Sequence, residues 1–295
     1  MTVIDMPRPS RMRTIFNNRL VRFVSLFLIT IFAYAGAQIF PMVTMPHIPA
    51  PNRESFAVVT EAVSVILLLL IYRSFVRWME HRTPQEIAVR KIPSVIPGVL
   101  IGLGLFTATI AILSVMGIAH IGAYTPAQAL LAAINMAVLS AVGEEIIFRG
   151  VVFRIAEEMF GTLVALLVSA GLFGLIHMGN PGATLVSGAA IALEAGILLA
   201  VSYMLTRSLW LPIGLHFGWN FAEGGIFGAA VSGNNFKGLW STTFTGPDLL
   251  SGGKFGPEAS IVAVAVCAAA ATVILALAIR NGQWRPLHLS INDRG

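Results

Sequence analysis

A chain of 295 residues that is 56% hydrophobic and 11% charged, with a mean hydropathy of +0.82, carries less than half the roughly 25% charge typical of soluble domains. That excludes a soluble enzyme and leaves little length for a domain outside the membrane. The net charge of +5 does not mark a nucleic-acid binder, because the basic residues fall at the ends of apolar stretches, where membrane topology accounts for them. Cys267 is the single cysteine, so no intrachain disulfide or cysteine metal cluster can form, and it reads as a packed thiol.

Eight apolar stretches, near 21–43, 56–76, 94–118, 127–153, 162–179, 183–205, 209–227 and 259–280, are long enough to cross a bilayer at about 20 residues per crossing. They predict an all-α, polytopic membrane protein, a bundle of eight transmembrane helices. A basic tail, 1–20, precedes a single membrane domain, 21–280, and a second tail, 281–295, follows. Arg8, Arg11, Arg13, Arg19 and Arg22 before the first stretch resemble the start of a signal peptide. Its apolar run is longer than the roughly 7–15 residues of a signal core, which favours a retained helix.

The second connection carries Arg73, Arg77, Arg82, Arg90 and Lys91, the fourth Arg149 and Arg154, the sixth Arg207, and the C-terminal tail Arg280, Arg285 and Arg294. The alternate connections hold only Arg53, Lys237 and Lys254. By the positive-inside rule both termini are cytoplasmic. Glu80 to Lys91 reads as a cytoplasmic surface helix, and Phe227 to Pro257, rich in Gly, Ser, Asn and Thr, as a non-cytoplasmic loop. Gly188, Ala189, Ala190 and Gly196 in the sixth stretch, and the alanines between Val264 and Ala278 in the eighth, allow close helix packing in lipid.

Ionisable groups at membrane depth cost roughly 2.5–3.5 kcal/mol each at a helix centre, so those that persist ask for a use. Glu145 and Arg149, four apart, share a helix face and can pair, whereas Glu144 points about 100° away without a partner on its own helix. A free carboxylate there suits a general base or acid; the plain alternative is that both glutamates are solvated at the interface. Phe173 and His177 share a face, and Gly179-Asn180-Pro181-Gly182 ends their helix. His216 and Asn220 share another, with Pro212 and Gly214 placed to loosen the helix before them. Each histidine alone is more often a hydrogen-bonded core residue than a catalyst.

Glu144 lies 17 residues before Gly161 and His177 lies 16 after it. A hairpin turning at Gly161 puts both at nearly one depth. Arg154, Glu157 and Glu158 suggest that the fourth helix projects past the lipid, which sets the pair toward the cytoplasmic side. Glu194 either lines the same cavity or is protonated and hydrogen-bonded to a neighbouring helix. Glu223, three residues after Asn220, could face that cavity too, and Glu61 reads as solvated near the outer interface.

Glu-Glu-x-x-x-Arg, Phe-x-x-x-His and His-x-x-x-Asn, in this order on successive membrane segments, resemble the CAAX prenyl endopeptidases of the Rce type and the bacteriocin-processing enzymes, also called the Abi family. The resemblance covers about Ala127 to Phe221, the expected catalytic core (127–221). It implies an eight-helix membrane fold and an intramembrane endopeptidase cleaving a membrane-associated peptide or protein. Glu144 and His177 would activate water, and His216 and Asn220 would stabilise the oxyanion. Glu145 with Arg149 would be the supporting ion pair, with Phe173 beside them.

No cofactor is expected. Glu144, His177 and His216 could supply three zinc ligands, but His-Glu-x-x-His is absent. The expected partners are the lipid bilayer and the peptide or protein substrate, in a bacterial inner membrane or its equivalent. Two other readings are a non-proteolytic membrane scaffold or self-immunity protein of the same fold, and a transporter using the buried Glu and His as a proton relay.

Overall fold

The computed structural model describes residues 16–124 and 130–291. Arg8, Arg11, Arg13, Arg294 and the start of the fourth apolar stretch at 127 lie outside the described residues. The long helices are α1 (Arg19–Thr44), α2 (Arg53–Met79), α3 (Val95–Val115), α4 (Leu130–Phe160), α5 (Thr162–His177), α6 (Leu185–Thr206), α7 (Trp210–Ile226) and α8 (Ile261–Arg280). Among the described residues six of these, all but α5 and α7, are long and apolar enough to cross a membrane. This is an integral membrane protein. Large apolar side chains such as Phe32, Met42, Val115, Leu167 and Leu175 stay exposed on its outer surface, as a chain bathed in lipid requires.

Local chemistry sets several helix ends. The Asn18 side chain caps α1 by accepting from the amides of Leu20 and Val21. Thr184 and Ser187 form a capping box at the start of α6, and Ser260 caps α8 through the Ala263 amide, each satisfying donors that a helix start leaves unpaired. Between α4 and α5 the chain reverses at Gly161, whose φ of +90° is costly for any residue with a side chain.

The tightest helix pair is α3 against α7. Gly98 and Gly102 on one helix face Gly214 and Gly218 on the other, and a Cβ on any of the four would sit 2.1–2.4 Å from a backbone carbonyl of the partner. These two small-xxx-small faces let the backbones touch, the main source of helix affinity where lipid removes the hydrophobic drive. Gly214 therefore clamps α7 in place, a correction to its expected role as a loosening point. Gly188 and Gly196 of α6 likewise lie against Gly174 and Ala170 of α5, and α8 packs along α6.

At the Gly161 end an ionic layer closes the bundle. Arg154 bonds Glu80 at 2.6 Å and Glu158 at 3.1 Å, Arg82 bonds Glu80 and Glu86, and Arg207 pairs with Glu157. Burial by itself raises the Glu86 carboxyl, but the Arg82 hydrogen bonds and the Arg154 charge outweigh it and hold the group at about 2. Both ends of the described chain sit here: the Arg19 amide donates to the Ile291 carbonyl, and the Thr162 amide to the Arg285 carbonyl. One expectation is corrected. Glu80 to Lys91 is not a surface helix but a run of short 3-10 turns, with Glu86 buried and accepting from the Tyr72 hydroxyl at 2.5 Å. Arg154 and Glu157 are buried because their partners fold over them.

The opposite end departs from all-α. Strand β1 (Ala119–Tyr124) pairs antiparallel with β2 (Trp240–Phe244), with Ala119 opposite Phe244 and Tyr124 opposite Trp240. The sheet ties the α3–α4 connection to the long polar loop after α7, and that loop folds back over the helix ends.

Candidate active site

Three stretches of π-helix surround the centre of the bundle: Ile146–Phe153 directly after the Glu144–Glu145 pair, Ala192–Gly196 around Glu194, and Phe221–Ile226 directly after Asn220. Such widened turns change which side chains and carbonyls a helix offers, and they recur at functional sites. The Ser169 hydroxyl donates to the Phe148 carbonyl at 3.1 Å within the first stretch. The carbonyls of Ala195 and Gly196, at the end of the second, each accept from Arg149 Nη2 at 3.1 Å.

Arg149 is wholly buried. Its Nη1 donates to Glu145 Oε1 at 2.7 Å, and its guanidinium carbon lies 4.6 Å over the Phe173 ring. Glu145 Oε1 also accepts from His216 Nδ1 at 3.1 Å. The pair expected within α4 is thus extended to α7, and it fixes one imidazole. The second imidazole is fixed separately: His177 Nδ1 lies 2.7 Å from the Phe173 carbonyl. A carbonyl only accepts, so Nδ1 carries the proton and Nε2 presents its lone pair.

Both Nε2 atoms face Glu144. Glu144 Oε2 is 3.9 Å from His177 Nε2 and 4.0 Å from His216 Nε2, and no hydrogen-bond partner reaches it. Its other oxygen accepts from the Tyr34 hydroxyl of α1 at 3.0 Å. The Tyr34 ring lies so close to α4 that a Cβ on Gly143 would fall 2.2 Å from it, which explains a glycine immediately before the glutamates. Asn220 Nδ2 donates to the Ser140 hydroxyl at 3.1 Å, and an amide nitrogen has a second proton to donate.

Glu144, both imidazoles and Asn220 line one cleft of about 430 Å³, together with Tyr34, Ser140, Asn180 and residues of the loop after α7. A separate small cavity of about 30 Å³, room for about one water, adjoins the other face of the imidazoles. Glu194, Trp219 and Glu258 line it.

Glu194, Glu223 and Glu258 approach one another there, and Glu194 also lies against the Cys267 thiol of α8. Glu223 is buried but lines neither space. Glu61 is not fully solvated as expected; it is half-buried, with one carboxylate oxygen enclosed.

The depth expected from counting residues about Gly161 agrees with the short Glu144–His177 distance, but the direction of the opening does not. Asn180, Val231, Ser232, Asn234 and Phe236 line the cleft, and all belong to connections at the end remote from Gly161. The site opens away from the ionic layer and the described chain ends, because α5 stops at His177 and the loop after α7 forms the rim.

Sequence reasoning missed Tyr34, Ser140 and Glu258. Tyr34 carried a signal, since Gln38 follows it by one turn on an otherwise apolar helix. Glu258 falls between the polar loop and the last apolar stretch and carries none.

Fold and site together define a helical membrane protein with a carboxylate and two imidazoles converging in a buried cleft. Residues 125–222, about a third of the chain, match the family described as Type II CAAX prenyl endopeptidase Rce1-like, so this stretch is similar to that family. The matched region runs through α4, α5, α6 and α7 past Asn220 and holds every side chain of the cluster except Tyr34. Neither the curated proteins nor the solved structures contain a match to the chain.

Proposed function

We propose that the protein is an intramembrane endopeptidase hydrolysing a peptide bond of a membrane-associated peptide or protein by a water that Glu144 and His177 activate. The observation that carries this reading is Glu144 Oε2, unpartnered and 3.9–4.0 Å from both Nε2 atoms. That spacing is too long for direct hydrogen bonds and suits a water about 2.8 Å from the carboxylate and an imidazole.

In this mechanism the water oxygen attacks the scissile carbonyl carbon while Glu144 accepts its proton. His177 Nε2, its lone pair aimed at the gap, aligns the water. The oxyanion is met by the second amide proton of Asn220 and by His216. His216 Nδ1–H is engaged by Glu145, so Nε2 donates only in the imidazolium form, whose charge Glu145 balances. Collapse breaks the C–N bond, and Glu144 returns the proton to the leaving amine.

Glu145, Arg149 and Phe173 hold His216 and His177 in place, while Glu194 contributes to the wall behind them. In this reading Glu144 and the two imidazoles act on the water directly, with no metal. In this reading α5 and α7 cross with the six longer helices to give an eight-helix bundle. Both termini are cytoplasmic, in a bacterial inner membrane or its equivalent.

The test is purified protein in detergent with Glu144→Ala and His177→Ala variants. Each should remain folded and lose cleavage of susceptible peptides entirely, and activity in the parent should survive chelation. Full activity in either variant defeats the assignment, and complementation of a deletion phenotype by Glu144→Ala would point to a scaffold instead.

A further inference from the structure

The larger cleft opens at the end remote from Gly161, a smaller space of about 180 Å³ reaches Glu144 beside Tyr34, Phe148 and Ile176, and the charges say which side of the membrane the larger mouth faces. From Arg154 to Glu144 the chain climbs roughly 15 Å along α4, about half of the ~30 Å hydrocarbon core. That half is filled: Arg149 plugs the axis, and Phe153 packs edge-on against Tyr203 with centroids 5.7 Å apart, both fully buried. Toward the other end the cleft of about 430 Å³ is open and rimmed by Asn180, Ser232 and Asn234.

Among the described residues, the Gly161 end carries Arg73, Arg77, Arg82, Arg90, Lys91, Arg207, Arg280 and Arg285, against Arg53, Lys237 and Lys254 at the cleft end. All these connections are short, the regime in which the Lys/Arg bias sets orientation. The cleft mouth therefore faces away from the cytoplasm.

The lining restricts what can bind. Among the described residues Glu144 is the one carboxylate in the cleft, no Lys or Arg lines it, and the remaining polar groups are the neutral side chains of Tyr34, Gln38, Ser140, Asn180, Ser232 and Asn234 beside the imidazoles and Asn220. A free terminal carboxylate entering it would be desolvated without a guanidinium or ammonium partner, an expensive arrangement. Amides and hydroxyls instead match the N–H and C=O groups of an extended chain.

Resting on the peptidase reading above, we propose that the substrate is an internal, uncharged stretch of polypeptide presented at the non-cytoplasmic face of the membrane, a segment already exported, and not a free C-terminal tail offered from the cytoplasm.

The experiment uses right-side-out and inverted vesicles from cells expressing the full chain, with Glu144→Gln as the background. The probe is a membrane-impermeant mixture of short fluorogenic peptides of randomised sequence, one set amidated and one with free C-terminal carboxylates. Asn235→Cys and Asn281→Cys, both exposed, are labelled in parallel with an impermeant maleimide; native Cys267 is buried and silent.

Glu144-dependent cleavage in right-side-out vesicles, absent from inverted ones until detergent opens them, is expected. So are a preference for amidated peptides and labelling of Asn235→Cys from outside. Cleavage confined to inverted vesicles, labelling of Asn235→Cys only there, or preference for free carboxylates overturns the proposal while leaving the peptidase reading intact. No Glu144-dependent cleavage even in detergent overturns both, and the labelling then still reports where the cleft opens.

Discussion

Replacing Arg149 by methionine asks whether the ion at the heart of the bundle organises the site. Methionine keeps most of the volume and removes the guanidinium. Arg149 and Glu145 are both 0% exposed, so the change leaves a carboxylate enclosed without its 2.7 Å partner and strips the carbonyls of Ala195 and Gly196 of their donor. Breaking a buried pair from one side costs about 3–5 kcal/mol, a large share of the roughly 5–15 kcal/mol that holds a domain together.

Removing both charges, with Glu145→Met and Arg149→Met together, leaves only His216 Nδ1 and the carbonyls short of partners, a loss of about 1–3 kcal/mol. The double variant should therefore be more stable than the single one. Reversible unfolding of the detergent-solubilised protein, followed by tryptophan fluorescence, gives both numbers. A single variant within about 1 kcal/mol of the parent, or a double variant no better than the single, would refute the pairing argument.

Tyr34→Phe deletes one hydrogen bond to the Glu144 carboxylate, worth about 1.5–3 kcal/mol, so turnover should fall roughly 10–150-fold with little change in KM; steady-state kinetics on a cleaved peptide reads this. Gly102→Ala puts a methyl 2.1 Å from the Leu215 carbonyl and should cost about 1–3 kcal/mol. Gly104→Ala, two residues on with nothing within 4 Å, should be neutral or slightly stabilising, and thermal unfolding compares the two.

Glu86 is held at about 2 against an ordinary 4.5. Its contribution is present above 4.5 and lost as pH falls toward 2, about 3 kcal/mol in all. Glu86→Gln should flatten that part of the stability–pH curve, and an unchanged curve would mean the carboxylate is not held by Arg82 and Arg154.

What could be read along the chain is what repeats locally. Apolar length marks membrane helices, and four-residue spacing joined Glu145 to Arg149 before any packing was known. Equal rise on either side of Gly161 set Glu144 and His177 at one depth. What could not be read is lateral. Tyr34 reaches Glu144 across 110 residues and His216 reaches Glu145 across 71, and each contact depends on which helices are neighbours and how each is rotated.

Hydropathy is silent on both, because in lipid every face of a helix is allowed to be apolar. The choice of neighbours falls instead to close backbone contact, as at Gly98, Gly102, Gly214 and Gly218. The mouth of the cleft was decided the same way, by a short α5 and a polar loop that folds over its end. Depth follows from counting residues, whereas direction follows from packing.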